Sequence, residues 1–62
     1  MIPASDDYLT VAETTALLKI SRWKLYDLIR NGELASFTLG RRRLIPRDAI
    51  DLLVTRHMKE AA

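Results

Sequence analysis

Hydrophobic positions along this chain recur at helical spacing in three stretches and alternate in a fourth. The sharpest is Ser21–Gly32, in which Leu25, Leu28 and Ile29 fall at i, i+3 and i+4 and make one apolar stripe. Ser21 predicts an N-cap, because its hydroxyl can accept from a backbone N–H of the first turn. Gly32, behind Asn31, predicts the left-handed residue that closes a helix. At about 100° per residue, Trp23, Tyr26, Asp27 and Arg30 lie away from the stripe, flanked by Arg22 and Lys24. One helix thus buries an aliphatic face and shows a cationic, aromatic one.

The stretch before it is also helical. Thr10-Val11-Ala12-Glu13 fits a capping box, with Thr10 capping the N3 amide while Glu13 reaches back to the N-cap amide. This helix runs to about Leu18, with Val11, Thr14, Thr15 and Leu18 inside and Leu17 at the margin. A buried threonine hydroxyl needs a partner, and the carbonyl one turn back supplies it. Lys19-Ile20 forms the turn, with Ile20 as the apolar plug between the helices. Helix, short turn and helix in this order is the helix-turn-helix pattern, whose second helix enters the major groove of DNA.

After Gly32 the period changes. Phe37 and Leu39 alternate with Thr38 as in a short strand, Gly40-Arg41 supplies a turn, and Arg42 to Ile45 returns as a second strand. The hairpin carries Arg41, Arg42 and Arg43 at its tip. Pro46 and Arg47 open a third helix, with Asp48 at its positive end and Arg56, His57 and Lys59 at its negative end. Ile50, Leu53 and Val54 give it an apolar stripe. The predicted fold is mainly α with a small β-hairpin, three helices plus a two-stranded wing. Its core is Val11, Leu18, Ile20, Leu25, Leu28, Ile29, Leu34, Phe37, Ile45, Ile50 and Leu53. A tail over residues 1–7, one domain over 8–58 and a frayed end over 59–62 complete the expected layout.

Composition narrows the chemistry. A chain of 62 residues makes one domain, and without cysteine it has neither a disulfide nor a thiolate metal site. No apolar run is long enough to span a membrane, and the N-terminus lacks the cationic start and apolar core of a signal peptide, so a cytoplasmic protein is expected. Net charge is +2 and the pI about 9.4, but the distribution matters more. Residues 1–20 set Asp6, Asp7 and Glu13 against Lys19, whereas residues 21–62 set nine Lys and Arg against five acids. The positive charge gathers on the second helix and the hairpin tip, which points to a polyanion. Catalysis has little to build on. His57 stands alone and is expected at the surface, the carboxylates are scattered among caps and ion pairs, and no glycine-rich phosphate loop occurs. No catalytic residue, metal or cofactor is expected.

Leu9-Thr10-Val11-x-Glu13, Leu18-x-Ile20-Ser21-Arg22, Leu25-Tyr26-x-Leu28-Ile29, Gly32-Glu33-Leu34, Gly40-Arg41-Arg42-Arg43 and Ile45-Pro46-Arg47 occur in this order. The set closely resembles the excisionase/MerR-like winged helix-turn-helix domains, which include phage excisionases, AlpA-type regulators and BldC-like regulators. It covers about residues 8–54. The resemblance implies a recognition helix at about 21–31 in the major groove and a wing at about 37–45 touching phosphate or the minor groove. Three features depart from the family. Lys19 stands where a turn glycine is usual, Thr14 and Thr15 replace a small apolar pair, and Trp23 and Asp27 replace small or basic residues. The long coiled coil and effector domain of full MerR regulators are absent, so inducer sensing is not implied.

The candidate DNA-binding residues are therefore Ser21, Arg22, Trp23, Lys24, Tyr26, Asp27, Arg30, Arg41, Arg42 and Arg43. The expected partner is double-stranded DNA, read by a monomer that assembles cooperatively on tandem sites, as a small transcription regulator or an excisionase-type recombination directionality factor working with an integrase. No small-molecule effector is expected. The alternative is a protein-interaction module using the Trp23/Tyr26 face. Trp23 must either fold over the domain or meet a partner, since an indole is costly to leave in water. Tyr26 either packs at the margin of the stripe or turns its hydroxyl to a phosphate.

Overall fold

The Thr10–Glu13 capping box forms as the sequence predicts. In the computed structural model, which describes residues 7–61, the Thr10 backbone N–H donates to Glu13 Oε1 at 2.9 Å and the Glu13 N–H donates to Thr10 Oγ1 at 3.1 Å. Helix α1 (Val11–Leu18) starts there. Both inner threonines bond backwards: Thr14, fully buried, donates to the Thr10 carbonyl at 2.8 Å, and Thr15 donates to the Ala12 carbonyl at 2.8 Å. Neither hydroxyl needs a side-chain partner, which is how a polar pair sits on the packed face of a helix.

The turn is made by Lys19, Ile20 and Ser21. Lys19 adopts the left-handed conformation (φ 57°, ψ 47°) and is the one non-glycine with positive φ among the described residues. Ile20 donates its N–H to the Thr15 carbonyl at 3.1 Å and packs against the core. Helix α2 (Arg22–Arg30) is capped by Ser21, whose hydroxyl accepts from the Lys24 N–H at 3.1 Å. Its far end is a Schellman motif: Gly32 (φ 78°) donates to the Ile29 carbonyl at 3.1 Å and Glu33 to the Leu28 carbonyl at 3.0 Å.

The wing differs from expectation. Strands β2 (Phe37–Leu39) and β3 (Arg42–Pro46) pair as the predicted hairpin, but a further strand, β1 (Tyr8–Thr10), pairs with β3 on its other side. The two-stranded wing is thus a three-stranded antiparallel sheet in the order β1-β3-β2. The partners Tyr8↔Pro46, Leu9↔Ile45 and Thr10↔Leu44 tie the segment entering α1 to the strand leaving the wing. Pro46 consequently ends β3, and helix α3 (Arg47–Ala61) begins one residue later than expected. It continues to Ala61, so residues 59–61 are helical where a frayed end was expected. Residues 1–6 of the expected acidic tail lie outside the described residues, as does Ala62.

Leu9, Leu25, Leu28, Leu34, Ile45, Ile50 and Leu53 form the buried core, with Val11, Leu18, Ile20 and Ile29 half-buried against it. Two expected contributors fall outside. Val54 sits on the exposed side of α3. Phe37 opposes Leu44 on the face of the sheet turned away from the helices, because strand alternation gives the inner face to Leu9 and Ile45. It is exposed there, edge-on to Tyr8 with ring centroids 5.5 Å apart at 85°. α3 is also fastened to the loop after α2: Arg56 donates to the Glu33 carbonyl at 3.1 Å, and His57 Nε2 lies 3.6 Å from Glu33 Oε1.

Candidate nucleic-acid interface

With Leu25 and Leu28 facing the core, the rest of α2 is divided by its own helical phase. Arg22, Tyr26, Arg30 and Trp23 fall on one side, towards the wing, at about 100° per residue. Trp23 is 71% exposed and Tyr26 41% exposed, so of the two fates open to the indole, folding over the domain is not the one adopted. Tyr26 lines a cleft with Ile29 and Arg30 while part of its surface stays open to solvent. Asp27, half-buried, receives a long hydrogen bond from Asn31 Nδ2 at 3.5 Å. Ser21 uses its oxygen for capping and keeps a hydroxyl proton to donate.

Lys24 is the predicted residue that the fold sends elsewhere. It lies on the opposite flank of α2, lining an apolar groove with Ile20, Leu28, Leu53 and Met58. Two of the other cations, Arg30 and Arg43, share a surface. A shallow cleft of about 350 Å³ is lined by Tyr26, Ile29 and Arg30 from α2 and by Arg43 from β3, so the wing and the second helix share one surface.

The three wing arginines are not equivalent. Gly40 (φ 65°) leads a two-residue loop closed by the Leu39↔Arg42 pair, the glycine-first hairpin whose twist suits the flanking strands. Arg41 is the loop's second residue and is exposed. Arg42 and Arg43 are consecutive in β3 and face opposite sides of the sheet. Arg43 shares its side with Ile45, is half-buried, and donates from Nη1 to Ser36 Oγ at 2.7 Å. Only Arg41 and Arg42 belong to the exposed tip; Arg43 belongs to the cleft. Ser36 was not among the residues singled out from the sequence. Its signal was its place two residues before Thr38, the partner of Arg43, on the same face of the strand.

The cations of this surface make no salt bridge among the described residues. Among the described residues, Arg47–Asp51 at 3.5 Å is an ion pair and His57 lies 3.6 Å from Glu33, and neither contact involves a cation of α2 or the wing. Arg22, Arg30, Arg41, Arg42 and Arg43 therefore face solvent or the cleft without a carboxylate. No group of three or more His, Asp or Glu side chains comes together among the described residues, and no described helix is long and apolar enough to cross a membrane.

A family model of the helix-turn-helix domain matches residues 8–58. The chain is 39% identical over 61 residues to an excisionase of Streptomyces ambofaciens, an alignment that covers 98% of each protein. This chain belongs to the excisionase-type helix-turn-helix family. Other members of its neighbourhood are longer. A protein of Saccharopolyspora erythraea named as a probable excisionase is 49% identical over 43 residues, which is 69% of this chain and 44% of that protein. A Mycobacterium tuberculosis protein named as a candidate DNA-binding protein is 40% identical over 53 residues, 84% of this chain and 68% of that one. No solved structure matches the chain.

Proposed function

We propose that this chain binds double-stranded DNA sequence-specifically, with α2 in the major groove and the β2–β3 hairpin on the backbone beside it, and that it acts as an excisionase-type recombination directionality factor in the cytoplasm. The observation that carries the reading is the cleft in which Tyr26 and Arg30 of α2 meet Arg43 of the wing, both arginines without a salt bridge among the described residues. Phosphate contacts by Arg30, Arg41, Arg42 and Arg43 would supply the sequence-independent part of binding by releasing condensed counterions. Arg22 and Trp23 at the start of α2 reach base edges first. The guanidinium of Arg22 suits guanine O6 and N7, the indole of Trp23 suits a thymine methyl, and Asp27 can accept from a cytosine N4 amine. Lys24, on the far flank, contributes at most to a distant phosphate, and Ser21 donates its remaining proton to one.

The excisionase role over that of a transcription regulator rests on the similarity to the Streptomyces protein along almost its whole length. An integrase bound to the same DNA is the fitting protein partner. The chain is expected to be monomeric when free and to occupy tandem sites cooperatively, since one small module buries only about 600–1,000 Å² of protein surface on DNA. A protein-docking role for the Trp23/Tyr26 face would leave the surrounding arginines without purpose. Selection of bound duplexes from a random pool tests the proposal: an enriched motif bound at least about tenfold better than random duplex is expected, and recovery without enrichment would overturn sequence-specific reading. Integrase-dependent excision of a reporter segment, lost with Arg22→Ala, tests the recombination role. Excision at the same yield without the protein would leave regulation as its task.

A further inference from the structure

The hydrogen bond between Arg43 and Ser36 joins two side chains that strand register brings to the same face of the sheet. Arg43 sits at the point of β3 where alternation turns its side chain towards the helices. A free arginine there could swing out to solvent. Instead, Nη1 donates to Ser36 Oγ at 2.7 Å in a half-buried setting, and the guanidinium lines the cleft with Arg30 and Tyr26. Guanidinium has five N–H donors in a fixed fork, so one bond to serine leaves the others directed by it. Arg30, Arg43 and Tyr26 line this cleft with Ile29, and neither arginine has a salt-bridge partner among the described residues. An anion is the fitting ligand for two arginines that line one cleft, and a planar fork matches phosphate oxygens in pairs.

Resting on the DNA-binding reading above, we infer that Ser36 is a positioning residue: it fixes Arg43 so that Arg43, Arg30 and the Tyr26 hydroxyl form one seat for a backbone phosphate at the edge of the groove that α2 enters. A long side chain ordered in advance loses less freedom on binding, so its contact is worth more to affinity. Ser36 does not touch the phosphate in this scheme; its whole effect passes through Arg43. The seat also sets the angle between α2 and the wing on the duplex, because it draws donors from both.

A double-mutant cycle tests this on a fluorescent random-sequence duplex titrated at several salt concentrations. Arg43→Ala should weaken binding and flatten the slope of log K against log salt by about 0.9. Ser36→Ala should weaken binding about two- to tenfold, the scale of one pre-ordered side chain. Ser36→Thr, which keeps the hydroxyl, should restore the affinity. In an Arg43→Ala background, Ser36→Ala should change nothing further. Thermal melts of the variants report whether each is folded. Should Ser36→Ala melt early, Arg43→Lys probes the same bond from its other end by keeping the charge without the fork, and an equal weakening is expected. Independent, multiplying effects of Ser36→Ala and Arg43→Ala would overturn the inference, as would wild-type affinity in Ser36→Ala. If the wild-type protein binds no duplex at all, the DNA-binding reading itself falls, a result distinct from either of these.

Discussion

Lys19 carries the backbone strain of this fold. Left-handed φ costs an L-residue with a side chain about 1–2 kcal/mol, and the lysine bears that cost so that α1 can stop and Ile20 can plug the space before α2. Glycine adopts the same conformation without the strain but sacrifices roughly 0.5–1 kcal/mol in chain entropy. Lys19→Gly is therefore expected to raise stability by about 0.5–1 kcal/mol, read as a higher melting temperature. An unchanged or lower one would mean that the lysine side chain compensates its backbone. Thr14 teaches the opposite lesson. Its place on the inner face and its partner, the carbonyl one turn back, were both readable in advance, because helix geometry leaves little choice. Trp23 was undecidable from sequence, since an indole at that phase could cover the wing or stand free. In the fold it stands free, 71% exposed.

At the scale of elements, the helices were readable because each carries its own signals. The capping box, Ser21, Gly32 and the apolar stripes are local chemistry. Strand β1 was not readable. Tyr8–Thr10 is too short for a period of two to declare itself, and its partner β3 lies far along the chain. Without β1, Phe37 was misplaced too. A hairpin alone would press its aromatic side on the core, but with β1 in place the core side is taken by Leu9 and Ile45. Phe37 then turns outward to meet Tyr8. The candidate site was likewise legible as a composition and not as a geometry: the arginines were evident, but the division between an exposed pair and one bound to Ser36 depends on strand register. The wing as an element makes a definite prediction. Replacing Arg41, Arg42 and Arg43 together by alanine should flatten the salt slope of duplex binding by about 0.9 for each phosphate no longer neutralised, roughly 2–3 in all. An unchanged slope would remove the wing from the DNA interface.

The molecule as a whole is small enough that a single core side chain decides whether it folds. At 62 residues its total stability is on the order of 3–9 kcal/mol. Leu25 has no exposed surface and belongs to both the α2 stripe and the central core. Leu25→Ala is expected to cost about 2–5 kcal/mol, measured by urea unfolding, and to leave the domain largely unfolded at physiological temperature. A variant that unfolds at the wild-type urea midpoint would displace Leu25 from the centre of the core. The same scale joins fold to function. The core holds α2 by its aliphatic stripe, α3 fastens the loop behind it through Glu33, and Arg43 of the sheet lines one cleft with Arg30.

The measurement that bears most directly on that surface is the emission of Trp23, the single tryptophan, as duplex DNA carrying a selected site is added. The free protein should emit at the wavelength of a water-exposed indole, as its 71% exposure requires. Saturating site duplex should shift or quench that emission, random duplex should do so far less, and added salt should reverse both. Trp23→Ala should meanwhile weaken the selected site by about 1–3 kcal/mol while hardly affecting random DNA. Emission that stays unchanged while anisotropy shows the duplex fully bound would place α2 outside the groove and contradict the proposed mode of recognition.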